Sequence, residues 1–165
     1  MTHEAASIRT KGVKRGLEKR KSPAEITASS IYAACREKGV PTTLDDVAAV
    51  SGVGRDKIAR DYRLLVTGLG LKIPVVGPAE YVKKVAARAR VDASVQEKAL
   101  EILSAAQDAG IAAGRDPAGV AASAIYLASA LEGRMLTQGD AAWAAGVTEV
   151  TIRNQIKRLR TVLSA

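Results

Sequence analysis

The chain contains no phenylalanine, and aromatic residues make up only 3% of its 165 positions. A core without large rings must be built from Ala, Val, Ile and Leu, and such small side chains let helices approach closely, which suits helix-on-helix packing. A single cysteine, Cys35, excludes an internal disulfide. Lying in an apolar run, it reads as a buried thiol in a reducing cytosol. One histidine, His3, and no clustered carboxylates offer neither a nucleophile–base pair nor a metal shell, so no enzymatic activity and no metal are expected. No apolar stretch approaches the ~18–20 residues of a membrane span, and Met1-Thr2-His3-Glu4 does not open a signal peptide. A cytoplasmic protein without a membrane partner is the expectation.

What is present is a duplication. Residues 22–65 recur without a gap at residues 116–159, and a fixed shift of 94 leaves 15 of 44 positions identical. It carries Ser22-Pro23-Ala24 onto Asp116-Pro117-Ala118, Ile31-Tyr32 onto Ile125-Tyr126, and Gly52-Val53 onto Gly146-Val147. Solenoid repeats recur every ~20–50 residues, so a period this long means two copies of one domain. Function is then to be sought where the copies differ. The recurrence of Tyr32 and Tyr126 at one helical position points to shared core packing.

Charge is one such difference. The net charge is +8. Residues 1–74 hold 14 basic and 8 acidic side chains, residues 75–165 hold 11 and 9, and seven of the basic ones fall between Arg9 and Lys21. Such a density favours a polyanionic partner, although solvated helices also carry it.

Helical signals dominate. Pro23 and Pro117 each follow a polar residue, the pairing of N-cap and first turn expected at a helix start. An Ala-rich helix follows in each copy, at about 23–37 and 117–132, apolar on most faces and therefore central. After Gly39 and Gly133 come a short helix (about 43–50 and 137–145), a Gly-Val turn, and a further helix (about 55–67 and 149–163). That succession is the outline of a helix-turn-helix. The second copy has two more helices ahead of its proline, about 79–90 and 93–109, whereas the first has room for one, at about 4–19. The expected architecture is all-α: a first repeat at 1–70 lacking its opening helix, a Gly/Pro linker at 71–78, and a five-helix repeat at 79–165.

The last helix carries the most chemistry. At 100° per residue Ile152, Ile156, Leu159 and Leu163 share one face and should pack inward. Val150, Arg153, Asn154 and Lys157 take the opposite face. Arg can pair bidentately with guanine, Asn with adenine, and an exposed Val can touch a thymine methyl. Thr148 suits the N-cap, and Thr151 can bond a phosphate. The same pattern also describes a plain amphipathic surface helix. In the first copy the corresponding residues are Asp56, Ala59, Arg60 and Arg63. Asp56 would repel phosphates, while Arg55, Lys57, Arg60 and Arg63 can still hold a backbone. The copies are expected to divide labour, with the second reading sequence and the first supplying phosphate contacts or a protein-binding surface.

These residues carry a resemblance. The tandem repeat, with Ser22-Pro23-x-x-Ile26-x-Ala28-x-x-Ile31-Tyr32-Ala33-Ala34-Cys35-Arg36, Pro41-x-Thr43-Leu44-x-x-Val47-Ala48 and Gly146-Val147-Thr148-Glu149-Val150-Thr151-Ile152-Arg153-Asn154, closely resembles the core of the archaeal transcription initiation factor B family, counterpart of transcription factor IIB. The resemblance covers nearly the whole chain. It implies two cyclin-like five-helix domains that clamp TATA-binding protein on promoter DNA, with the second helix-turn-helix reading the B recognition element. It also implies that the first domain contacts downstream DNA and RNA polymerase. The matching site positions are Val150, Thr151 and Arg153, with Thr148, Glu149, Asn154 and Lys157 beside them. The family's zinc ribbon and reader segment are absent from this sequence, so no cofactor is expected. The resemblance implies a non-enzymatic, nucleoid-associated initiation factor. The alternative is a cyclin-like interaction adaptor whose basic faces are merely solvated.

Overall fold

A computed structural model describes residues 2–163. Among them every regular element is helical, and the chain divides into two compact units, Met1–Val76 and Gly77–Ala165. The first unit contains α1 (Thr2–Lys14), α2 (Pro23–Glu37), α3 (Leu44–Ser51) and α4 (Arg55–Leu69). The second contains α5 (Ala79–Ala89), α6 (Ala93–Asp108), α7 (Pro117–Leu131), α8 (Gln138–Ala145) and α9 (Glu149–Leu163). The 94-residue shift pairs α1 with α6, α2 with α7, α3 with α8 and α4 with α9, and leaves α5 unmatched among the described residues.

Local chemistry fixes the ends. Ser22 and Glu25 form a capping box at α2, with the Glu25 amide donating to Ser22 Oγ at 3.2 Å and the Ser22 amide to Glu25 Oε2 at 3.0 Å. Asp116 accepts from the Gly119 amide at 2.8 Å at the matching start of α7. Thr43 with Asp46, and Thr137 with Asp140, box the starts of α3 and α8. Each such cap contributes about 1 kcal/mol. The first helix was expected at 4–19 but ends at Lys14, because Gly16 takes a left-handed φ of 67° and breaks the hydrogen-bond ladder.

One helix organises each unit. In the second, α5, α6, α8 and α9 all pack on α7, whose Ala, Ser, Val and Ile side chains are buried from Ala118 to Ser129 except at half-buried Tyr126. In the first, α1, α3 and α4 pack on α2. Tyr32 is buried there, edge-on to Tyr62 with ring centroids 4.9 Å apart.

The unmatched helix makes a measurable difference. In the second unit α5 lays buried Tyr81, Val82, Val85 and Ala86 against α7 and α8. On the equivalent surface of the first unit, Ile31 is 40% exposed where Ile125 is 0%, and Val50 is 91% exposed where Ala144 is 1%. A groove of about 290 Å³ runs between α1 and α2 there, lined by Ala5, Ala6, Arg9, Thr27, Ile31 and Cys35 among others. Burying Val82 and Val85 alone is worth about 1.5–3 kcal/mol each to the second unit. The first unit is therefore expected to be the less stable. Hydrogen exchange on the isolated chain at low concentration should show Pro23–Glu37 amides exchanging faster than those of Pro117–Leu131. Equal protection of the two helices would contradict this.

Candidate nucleic-acid interface

The short helix α8 ends at Gly146, whose left-handed φ of 69° turns the chain within a few residues into α9. A residue with a Cβ would be strained in this conformation. Thr148 then caps α9, its Oγ1 accepting from the Thr151 amide at 3.2 Å. The two threonine hydroxyls are 3.0 Å apart, so the Thr151 hydroxyl already has one hydrogen-bond partner.

Two features of α7 set the position of α9. Ser123 Oγ is 2.8 Å from the Gly119 carbonyl and 3.4 Å from the Ile152 carbonyl, linking the two helices. A Cβ at Gly119 would lie 3.2 Å from Thr151 Cγ2 and 3.1 Å from Asp116 Oδ2, so glycine leaves room for the N-terminal turn of α9. Ile152, Ile156 and Leu159 are buried as their spacing predicts. Leu163 departs from that expectation and is 43% exposed, since it lies a turn beyond the packed stretch that ends at Leu159.

The opposite face points outward. Val150 is 59% exposed, and Arg153, Asn154 and Lys157 are exposed with it. Among the described residues Arg153 and Lys157 enter no ion pair. Its apolar face packs on α7 while Arg153, Asn154 and Lys157 of the polar face stay exposed to solvent. Beside it lies an open, polar groove of about 540 Å³ formed by Thr151, Asn154, Gln155, Lys157 and Arg158 of α9 and by Arg115 from the loop before α7. Arg115, Gln155 and Arg158 escaped the sequence reading. Two signals were available: Arg115 stands 94 residues after Lys21, and Arg158 follows Asn154 by one helical turn.

The first unit's basic residues are differently placed. Arg55 pairs with Asp45 at 3.0 Å, Lys57 with Glu25 at 2.7 Å, and Arg60 with Asp61 at 3.1 Å. The Lys57 ammonium, followed by the Ser22 amide, holds the Glu25 carboxyl below the usual carboxylate range. Arg63 is exposed and enters no ion pair among the described residues. The Arg55–Asp45 pair is exposed on both sides and is worth about 0–1 kcal/mol, so Arg55 is able to exchange its partner for a phosphate, whereas Lys57 and Arg60 are tied to the buried carboxylates of Glu25 and Asp61. Asp56 lies on the exposed surface of α4 and Ala59 is half-buried.

Comparison with known proteins agrees with the duplication. Residues 1–67 and 71–161 each match the family described as the transcription factor TFIIB repeat. The chain is 44% identical over 155 residues to transcription initiation factor IIB of Pyrodictium occultum, covering 94% of this chain and 50% of that protein. It is 45% identical over 155 residues to the factor of the same name from Archaeoglobus fulgidus, covering 94% and 48%. For the Saccharolobus shibatae factor the identity is 44% over 156 residues, covering 94% and 51%. The chain thus spans about half the length of the curated relatives it matches.

The Thr148 cap gives this site its stability test. Thr148→Ala removes the acceptor of the Thr151 amide and should lower the unfolding free energy by about 0.5–2 kcal/mol. Denaturant unfolding followed by helical circular dichroism measures it, and an unchanged midpoint would show that the cap does not hold the start of α9.

Proposed function

The chain belongs to the transcription factor TFIIB-repeat family, and from that premise we propose that it is a general initiation factor core that docks on TATA-binding protein at a promoter. In this reading α9 enters the major groove upstream of the TATA box and reads the B recognition element, with Arg153 and Asn154 bonding base edges and Val150 meeting a methyl group. Thr148, Thr151 and Lys157 hold the flanking backbone, and the first unit adds phosphate contacts and helps to recruit RNA polymerase. The observation that carries the proposal is the face of α9 itself: exposed Val150 followed on the same face by exposed Arg153, Asn154 and Lys157, set directly behind a left-handed turn on a capped helix.

The deciding experiment is a gel shift on a TATA-containing duplex, with and without its upstream purine-rich element and with and without TATA-binding protein. Binding that needs the protein partner and strengthens with the upstream element is expected. Indifference to DNA in every combination would favour an interaction adaptor.

Two substitutions refine it. Arg153→Ala should cost about 1–3 kcal/mol of binding and flatten the preference at one or two upstream base pairs. Discrimination that survives intact would remove Arg153 from the readout. In the first unit, Arg63→Ala should weaken binding evenly on all sequences and reduce the salt slope by about 1, more than Arg60→Ala, because Asp61 already engages Arg60. A change of base preference in either variant would contradict a backbone role.

A further inference from the structure

The two units differ at one internal charge. In the first, Lys21 on the loop before α2 forms an ion pair with Asp61 of α4, and Arg60 bonds the same carboxylate at 3.1 Å. Asp61 is fully buried and Lys21 nearly so, so the loop cation is neutralised inside the fold. Carried over by 94 residues, Lys21 becomes Arg115, Asp61 becomes Gln155, and Arg60 becomes Asn154. The loop cation is kept and its carboxylate is gone. The neighbouring acid, Asp116, is committed to the Gly119 amide as the cap of α7. Arg158 replaces Leu64, adding a cation where the first unit has an apolar side chain. The result is the open groove lined by Arg115, Lys157, Arg158 and Gln155 together with Thr151 and Asn154, and among the described residues none of the three cations enters an ion pair.

We propose that this groove seats a DNA backbone phosphate, held by Arg115 from the α6–α7 loop together with Arg158 and Lys157, which supplies from outside the negative charge that Asp61 supplies from inside the first unit. The proposal rests on the reading of α9 as a DNA-binding helix and adds an anchor, Arg115, that comes from outside that helix and borders its base-reading face at Asn154 and Lys157. A backbone anchor at this point fixes how far α9 enters the groove without reading sequence itself.

The test measures the salt dependence of binding to the TATA-containing duplex in the presence of TATA-binding protein, for the wild-type chain, Arg115→Ala and Gln155→Asp. Arg115 is exposed, so its truncation leaves the core intact. Arg115→Ala should reduce the slope of log K against log salt by about 0.9, one phosphate's share, and leave the preference for the upstream element unchanged. Gln155→Asp restores the first unit's internal carboxylate and should reduce the slope by at least as much. An unaltered slope in Arg115→Ala overturns the phosphate seat even where Arg153→Ala still flattens base preference, which leaves the reading of α9 standing. Absence of DNA binding by the wild-type chain overturns both. Inorganic phosphate serves as the second probe: its saturable binding at low millimolar concentration, lost in Arg115→Ala while the DNA slope is unchanged, would assign the groove to a free anion and overturn the proposal.

Discussion

Close approach to a central helix made of small residues is the constraint on which this structure depends. With no phenylalanine to fill space, the neighbours of α7 must come near enough for Ala, Ser and Val to exclude water, and they do so from several sides. That nearness also sets the placement of α9. Gly119 leaves room for Thr151, and Ser123 reaches the Ile152 carbonyl across the contact. A bulkier α7 would push α9 outward by the width of a methyl group, and the face carrying Arg153 would move with it. The packed face and the exposed polar face are therefore two sides of one helix.

Duplication lets the same scaffold be compared with itself. Withdrawing a carboxylate and an ammonium from water is expensive, and breaking such a pair by removing one partner costs about 3–5 kcal/mol. Asp61 with Lys21 consequently acts as an internal tie between the loop before α2 and α4. The second unit holds the equivalent loop beside α9 with a neutral glutamine at the same position. The fold does not need a charge there. Where the carboxylate is replaced by Gln155, the loop cation is the exposed Arg115 rather than a nearly buried Lys21.

Much of this was legible in the sequence. Pro23, Pro117 and the Ser, Thr and Asp caps mark the helix starts to within a residue or two, because capping is a local reaction between a side chain and amides three residues on. The inward face of α9 follows from its period as far as Leu159, and its outward residues follow by exclusion. The end of α1 was misplaced because a glycine inside a basic run does not reveal whether it will adopt a left-handed turn until the next segment is anchored. Arg115 was missed for a related reason. It belongs to the site through a loop, and nothing in helical periodicity brings residue 115 to residue 158; only the pairing of Lys21 with Asp61 in the other copy exposes that neighbourhood.

Net charge alone does not show where the uncompensated cations lie. The first unit has the larger basic excess, yet Lys21, Lys38, Arg55, Lys57 and Arg60 each have a carboxylate within the fold. In the second unit Lys98 pairs with Glu101 and Arg134 with Asp92, whereas among the described residues Arg153, Lys157 and Arg158 are exposed and enter no ion pair. What a phosphate or a base edge meets is the local supply of donors without internal partners, not the sum over a domain. A long-range field from the first unit can attract DNA to the chain, and it falls off over a Debye length of about 8 Å at physiological salt. In the proposed reading, register on the duplex is decided at shorter range than that, so specificity would fall to the less basic unit.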